Sequence, residues 1–334
     1  MKLLAGTSKG VFAIAESHEP ATVLPERSVR DLARAGDRLL AGADTGIFAS
    51  GDGGHTWQPS GIEGRTVWDI LSGPDPGDDV YAGTQPAGLY RSADAGRTWQ
   101  EMETFARAPG AERWCVPVTP RQGGRARALV VDRADPKRIW VGVEVGGVAS
   151  TDNGGATWRL DLPGGNPDIH MMAVHPAKPE VLFATTGYGR LDGVAEMIEG
   201  NAGVFRSDDG GATWRYAWRG VTPRYSRPMC IDPRAPHALT VASAPTAFSS
   251  YKDEGGARAM LYRTEDGGET WRSLCDREHS PSAANFHGLV PDPSAPGGVL
   301  VGTDTGEVWR VSDAGAWTRL AAGMPSVLSI LPLA

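Results

Sequence analysis

The sequence predicts an all-β fold, a seven-bladed β-propeller of four-stranded blades whose ring is closed by its N- and C-terminal strands. Three observations carry this expectation. The 334 residues include 44 glycines and 25 prolines, about one residue in five, which leaves little room for long helices. Apolar residues come in short alternating runs between those breakers, the pattern of strands. An eight-residue segment also recurs along the chain, and repetition at a fixed period marks a fold made of stacked units.

The units read off in order. Leu3-Leu4-Ala5-Gly6 with Gly10-Val11-Phe12 opens the chain as a second and third strand. Further second strands end in a small-residue turn at Leu39-Leu40-Ala41-Gly42, Val80-Tyr81-Ala82-Gly83, Ile139-Trp140-Val141-Gly142, Val181-Leu182-Phe183-Ala184 and Val299-Leu300-Val301-Gly302. Third strands follow, such as Gly46-Ile47-Phe48, Gly88-Leu89-Tyr90, Gly203-Val204-Phe205 and Met260-Leu261-Tyr262. First strands precede Pro turns at Asp75-Pro76, Asp135-Pro136, His175-Pro176, Asp232-Pro233 and Asp292-Pro293. Four strands to a unit make a blade. Seven second- and third-strand pairs, at about 48 residues each, account for a single domain over 1–334. Ser326-Val327-Leu328-Ser329-Ile330-Leu331 is left over as an orphan first strand. Paired with the N-terminal strands it removes the exposed sheet edges of an open array.

The recurrent segment is Ser50-Gly51-Asp52-Gly53-Gly54-His55-Thr56-Trp57, repeated with variation at 92–99, 207–214 and 264–271. At 151–158 Asn153 stands in the Asp position, and 312–318 is degenerate. Such a segment is a self-bonded turn: Ser or Thr and Asp accept backbone N–H groups, Gly supplies positive φ, and Trp begins the next strand with a large side chain to bury. On these residues the chain resembles the Asp-box, or BNR-repeat, propellers, which include sialidases, the sortilin ectodomain, xyloglucan-acting glycosidases and photosystem II assembly factors. The resemblance covers nearly the whole chain and implies that the boxes lie between third and fourth strands, away from the ligand face.

Composition narrows the function classes. Forty acidic residues against 33 basic ones leave a net charge of −7, which excludes a general affinity for nucleic acid or an anionic membrane. No window approaches 18 continuous apolar residues, and Met1-Lys2-Leu3-Leu4 leads directly into Ala5-Gly6-Thr7 without a signal-peptide apolar region. Cys115, Cys230 and Cys275 are odd in number and lack CxxC spacing, so neither a disulfide framework nor a thiolate zinc site is expected. The expectation is a cytoplasmic protein.

Trp-to-Trp spacings between successive boxes are 42, 59, 56, 57 and 46, so the middle blades carry insertions. The long segments 101–124, 186–202, 216–226, 243–259 and 276–285 all fall on the face opposite the boxes, where a site over the central channel is expected. Trp114 and Trp218 lie in these segments as candidates for stacking on a sugar.

Aligning first strands on Asp132, His175, Asp232 and Asp292 places Arg127, His170, Arg227 and His287 at one register, five residues earlier. Residues two earlier share their face: Arg125, Asp168, Tyr225 and Asn285. Trp68 and Asp69 lie nearby in blade three. Clustered guanidinium groups repel one another unless an anion joins them, so the pattern points to a carboxylate, phosphate or sulfate ligand. The expected function is a hydrolase or lyase acting on an anionic or glycosidic small molecule; the alternative is a non-catalytic ligand-binding or protein-assembly propeller.

His170, His287, Tyr225 and Asp168 are the candidate catalytic groups. Arg125, Arg127, Arg227, Asn285, Trp68 and Asp69 are the candidate binding groups. The sialidase resemblance implies Arg127, Arg227 and Arg125 as a carboxylate clamp, Tyr225 as nucleophile and Asp168 as acid/base. The sialidase Arg-Ile-Pro segment has no counterpart, and sialidase activity itself is not expected. A metal between His170 and His287, with Asp168, is a further reading, although the spacing forms no local metal signature. No cofactor is indicated.

Overall fold

The computed structural model describes residues 2–15, 18–73, 77, 79–187, 189 and 197–333. Seven four-stranded antiparallel sheets follow one another around a central channel. Blade one runs, from rim to channel, Ala21–Pro25, Gly10–Ile14, Lys2–Thr7 and the C-terminal strand Val327–Leu333. The ring therefore closes by pairing of the chain's two ends, Leu4 opposite Leu331 and Gly6 opposite Ser329. Blades two to seven start at the channel with Val29–Ala35, Thr66–Ser72, Arg125–Val131, Ile169–His175, Tyr225–Ile231 and Phe286–Pro291. Residues 188 and 190–196 of the 186–202 segment and the Asp75-Pro76 turn lie outside the described residues. The segment 101–124 contains two short 3₁₀ turns and a two-stranded ribbon, Cys115–Val116 with Gln122–Gly123.

The boxes hold their turns by side-chain hydrogen bonds. Ser207 Oγ accepts from Gly211 N and donates to Asp209 Oδ1, each at 2.8 Å. Asp209 Oδ1 accepts from Thr213 N at 2.9 Å, and Oδ2 from Thr213 Oγ1 at 2.6 Å. These bonds hold the Asp209 carboxyl down to about 2. Trp99, Trp271 and Trp317 each donate their indole N–H to a carbonyl of the preceding blade, those of Ser60, Ala217 and Leu274. The turn chemistry thus continues into blade-to-blade packing.

Trp114 and Trp218 belong to this packing and are not free to stack on a ligand. Trp114 is buried against Phe105 at 4.9 Å, and the fully buried Trp218 meets Trp271 at 4.5 Å. The small residues that end second strands have a similar cause. A Cβ on Gly83 would stand 2.4 Å from the Ala126 carbonyl oxygen, and one on Gly142 would stand 2.6 Å from Ile169 Cγ2. In these two blades the backbone must be bare where the next innermost strand crosses it.

One irregularity recurs in every blade and positions the site. Each innermost strand carries one extra residue against its neighbour. Val29 and Asp31 oppose Ala43 and Gly42, leaving Arg30 unpaired. The same shift isolates Trp68, Arg127, His170 and His287, falls at Arg227-Pro228 in blade six, and isolates Leu328 in the closing strand. A β-bulge turns its extra side chain away from the ordinary alternation. Seven bulges at equivalent positions therefore form a ring of side chains around the axis.

Candidate functional site

A cavity of about 660 Å³ occupies the channel, lined by Arg30, Trp68, Arg125, Arg127, Arg227 and His287 and, deeper, by Asp31, Asp69, Met171 and Ser329. Bulge residues other than His170 line its middle; above them Ser28, Arg125 and Ser326 line it from two residues earlier, and below them Asp31, Asp69, Met171, Pro228, Gly288 and Ser329 from one residue later. Arg30 was not identified from the sequence because its strand ends in a Gly turn without the acidic residue used for alignment. The apolar spacing that frames the bulge finds it: Val29 and Leu32 bracket Arg30-Asp31 as Val67 and Ile70 bracket Trp68-Asp69.

Four guanidinium groups thus share one cavity. Three of them lie over the Trp68 ring, with Arg125, Arg30 and Arg127 at 4.4, 4.5 and 5.0 Å from its centroid. Cation–π attraction of about 0.5–2 kcal/mol per pair offsets part of their repulsion. Trp68 also donates its indole N–H to Gln85 Oε1 at 3.2 Å, and Arg125 Nε donates to the same oxygen at 3.2 Å. Burial, then Arg127 and Arg125, lowers the Arg30 guanidinium to about 10, still charged at neutral pH. The buried Nε atoms of Arg30, Arg127 and Arg227 have no hydrogen-bond partner.

Glu144, which sequence reasoning missed, is the counter-ion. It closes the second strand of blade four, Ile139–Glu144, and is the one acidic residue in an otherwise apolar stretch. Its carboxylate accepts from Arg125 at 2.9 Å and from Arg127. Burial alone would raise its pKa; Arg127, His170 and Arg125 together hold it well below the usual carboxylate range. The expected clamp of Arg125, Arg127 and Arg227 is therefore modified, since Arg125 and Arg127 already share one carboxylate. Arg30 and Arg227 have no such acidic partner among the described residues.

Arg227 links the cavity to a second, buried cluster. Its Nη2 donates to Tyr225 Oη at 3.0 Å, and Tyr225 Oη lies 3.1 Å from His170 Nε2. His170 Nδ1 is 2.6 Å from the Ser226 carbonyl. A carbonyl only accepts, so Nδ1 carries a proton, and Nε2 faces the phenol. Asp168 Oδ1 is 3.3 Å from the same Nε2, while Oδ2 accepts from Gly189 N at 2.8 Å. Burial raises the Tyr225 phenol to about 12, so it is protonated at neutral pH.

His170 is fully buried and does not line the cavity, whereas His287 does. The two therefore do not share a metal across the channel. Burial, followed by Arg227, Arg127 and Arg30, lowers His287 to about 3 and leaves a neutral imidazole. That state suits a hydrogen-bonding role better than general acid catalysis. Glu144, Asp168 and His170 place one ligand atom each within 4.8 Å of one another. An ion there would have to take Glu144 from Arg125 and Arg127, so the donor set fits a metal poorly.

Asn285 is committed to the backbone. It donates to the Ser249 carbonyl at 2.6 Å and accepts from Phe286 N at 2.9 Å, fixing the 243–259 segment beside blade seven.

Neither a protein-family model nor a curated protein matches the chain in sequence. Solved structures do match in fold. A GH74 enzyme of Niastella koreensis superposes with a TM-score of 0.63 at 16% identity, over 95% of this chain and 46% of that one. The GH74 xyloglucanase of Xanthomonas campestris gives 0.61 at 16%, over 87% and 45%. The chain thus spans about half the length of these enzymes. YCF48 from Cyanidioschyzon merolae gives 0.59 at 14%, over 89% of this chain and 87% of that one. A further match, at 0.52 and 15%, is YCF48 bound to D1 peptide. At such identities the likeness is one of fold.

Proposed function

We propose that the protein binds a small anionic molecule in the mouth of its central channel and acts on it as a hydrolase or lyase. The observation that carries this reading is the convergence of Arg30, Arg125, Arg127 and Arg227 on one cavity, with the Glu144 carboxylate paired to Arg125 and Arg127 alone. A volume of about 660 Å³ suits a guest the size of a sugar acid. The uncompensated cations and their partnerless Nε atoms match a carboxylate, sulfate or phosphate. Next to this anion site, Tyr225 and His170 supply the proton chemistry. As the Tyr225 oxygen displaces the leaving group from the substrate, His170 Nε2 takes the phenol proton and passes it to that leaving group, with Asp168 stabilising the imidazolium in between.

The test has two arms. Calorimetric titration with sulfate at low ionic strength measures the anion site; Arg227→Ala should weaken binding by ten- to a hundredfold, and unchanged binding would overturn the site. A panel of chromogenic uronides, sulfates and phosphates measures turnover. Tyr225→Phe should then lower kcat by at least a hundredfold while sulfate affinity changes little. Binding with no turnover across the panel would overturn the enzymatic half.

A second reading, a non-catalytic assembly propeller, draws on Phe248, which is 81% exposed, and on exposed Ile198, Val118 and Leu162 in connections on the same decorated face. Peptide binding by YCF48 is the fold-level parallel.

A further inference from the structure

The floor of the cavity differs from its walls. At the seven positions following the bulges stand Asp31, Asp69, Ala128, Met171, Pro228, Gly288 and Ser329. Two neighbouring blades thus contribute the two carboxyl groups, and the other floor residues are small or apolar apart from Ser329. Asp31 Oδ2 accepts Ile70 N of the next blade at 2.8 Å, and Asp69 Oδ2 accepts Leu129 N of the blade after at 2.6 Å. With one oxygen of each so fixed on adjacent blades, the two carboxyl groups bear directly on each other, burial and the Asp69 charge both raising Asp31. Two carboxyl groups so placed do not both ionise readily, so the pair retains one proton.

The surroundings are plain. Arg127 of blade four bears on Asp69, and Arg30 lines the same cavity from the strand of Asp31. The closing strand Val327–Leu333 carries no ionisable side chain. Lys2 sits at the far end of strand Lys2–Thr7, opposite Leu333. Arg38 of the second strand in blade two turns its guanidinium to the Ala95 carbonyl and Ser60, on the box side. Strand Val80–Gln85 offers no charge. Arg125, Arg227 and His287 complete the cavity.

We infer that Asp31 and Asp69 form a proton-exchanging site coupled to anion binding in the cavity above them. This rests on the anion-site reading. An anion seated among Arg30, Arg127 and Arg227 offsets the positive field that keeps the pair singly ionised, so the pair takes up a second proton as the anion arrives. No redox partner is involved: the proton comes from solvent and returns to it on release, or passes to the bound molecule.

Burial raises both groups, Asp31 well above its ordinary value and Asp69 to about 6, which places the exchange in an accessible pH range. Sulfate is the probe, because its own titration lies far below that range. Titrations near pH 7 in two buffers of different ionisation enthalpy should show uptake of roughly half a proton per sulfate bound. Asp69→Asn and Asp31→Asn each keep an oxygen for the Leu129 or Ile70 N–H. Both should bind sulfate with no proton uptake and with affinity independent of pH between 6 and 8. Asp209→Asn, in a box turn away from the cavity, should retain the uptake. In the unaltered protein, carboxyl carbon NMR should show one aspartate titrating near pH 6. Sulfate binding without proton uptake, or uptake that persists in both asparagine variants, overturns the inference. Failure of sulfate to bind at all overturns the anion site itself.

Discussion

Glu144 shows how one carboxylate can set the strength of a cationic site. It holds Arg125 and Arg127 in place and competes with any incoming anion for them. Glu144→Gln should therefore act in two directions. Loss of a buried ion-pair partner should cost about 3–5 kcal/mol of stability, read from urea denaturation. Sulfate affinity should rise about tenfold, because two guanidinium groups are released; an unchanged affinity would mean that Glu144 does not compete. His287 gives a pH signature. Its imidazole is neutral down to about 3 in the folded chain but takes a proton near 6.5 when unfolded. A base depressed by folding contributes full stability above its unfolded pKa and loses it as pH falls from there toward the folded value. The expected slope is about 1.4 kcal/mol per pH unit between pH 6 and 4. His287→Gln should remove that increment from the measured pH dependence; identical profiles for the two proteins would contradict the buried neutral state.

Boxes and bulges are the two devices of the individual blade. At 151–158 Asn153 replaces the box aspartate and reverses one bond, its Nδ2 donating to Thr157 Oγ1 at 2.8 Å while Oδ1 still accepts Thr157 N at 3.0 Å. Asp209→Asn should accordingly change stability by less than about 0.5 kcal/mol, whereas Asp209→Ala should cost about 1–2 kcal/mol. Equal losses in a thermal melt of the two variants would show that the reversed geometry does not transfer. Boxes were legible in the sequence because the Ser/Thr and Asp side-chain bonds that make the turn are local, between residues two to four apart. The bulges were legible only in part. Arg127, His170, Arg227 and His287 share a register because their strands end alike, while Arg30 and Leu328 do not follow that ending. Glu144 and Gln85 reach the cavity from second strands, and nothing within four residues of either announces it. Pairing across strands and blades decided those positions, as it decided that Trp114 and Trp218 pack inward.

Closure is a property of the entire ring. The strand Val327–Leu333 pairs with Lys2–Thr7 and is the innermost strand of blade one, so removing 327–334 exposes the edge of Lys2–Thr7 and the core beneath Leu3, Val308 and Met324. Truncation should abolish the cooperative thermal transition and give aggregates on size exclusion. A permutant that joins the ends by a short linker and opens between Ser60 and Thr66 should melt within a few degrees of the parent. Cooperative melting of the truncated chain would show that the last strand is dispensable. The extra residue in each innermost strand has a wider consequence. Because it lies outside the ladder, its identity is not dictated by the pairing that builds the frame, and an arginine, a tryptophan, a histidine and a leucine occupy the same socket here. A library diversified only at 30, 68, 127, 170, 227, 287 and 328 would re-specify what the tunnel admits while leaving the scaffold's strand partners unaltered.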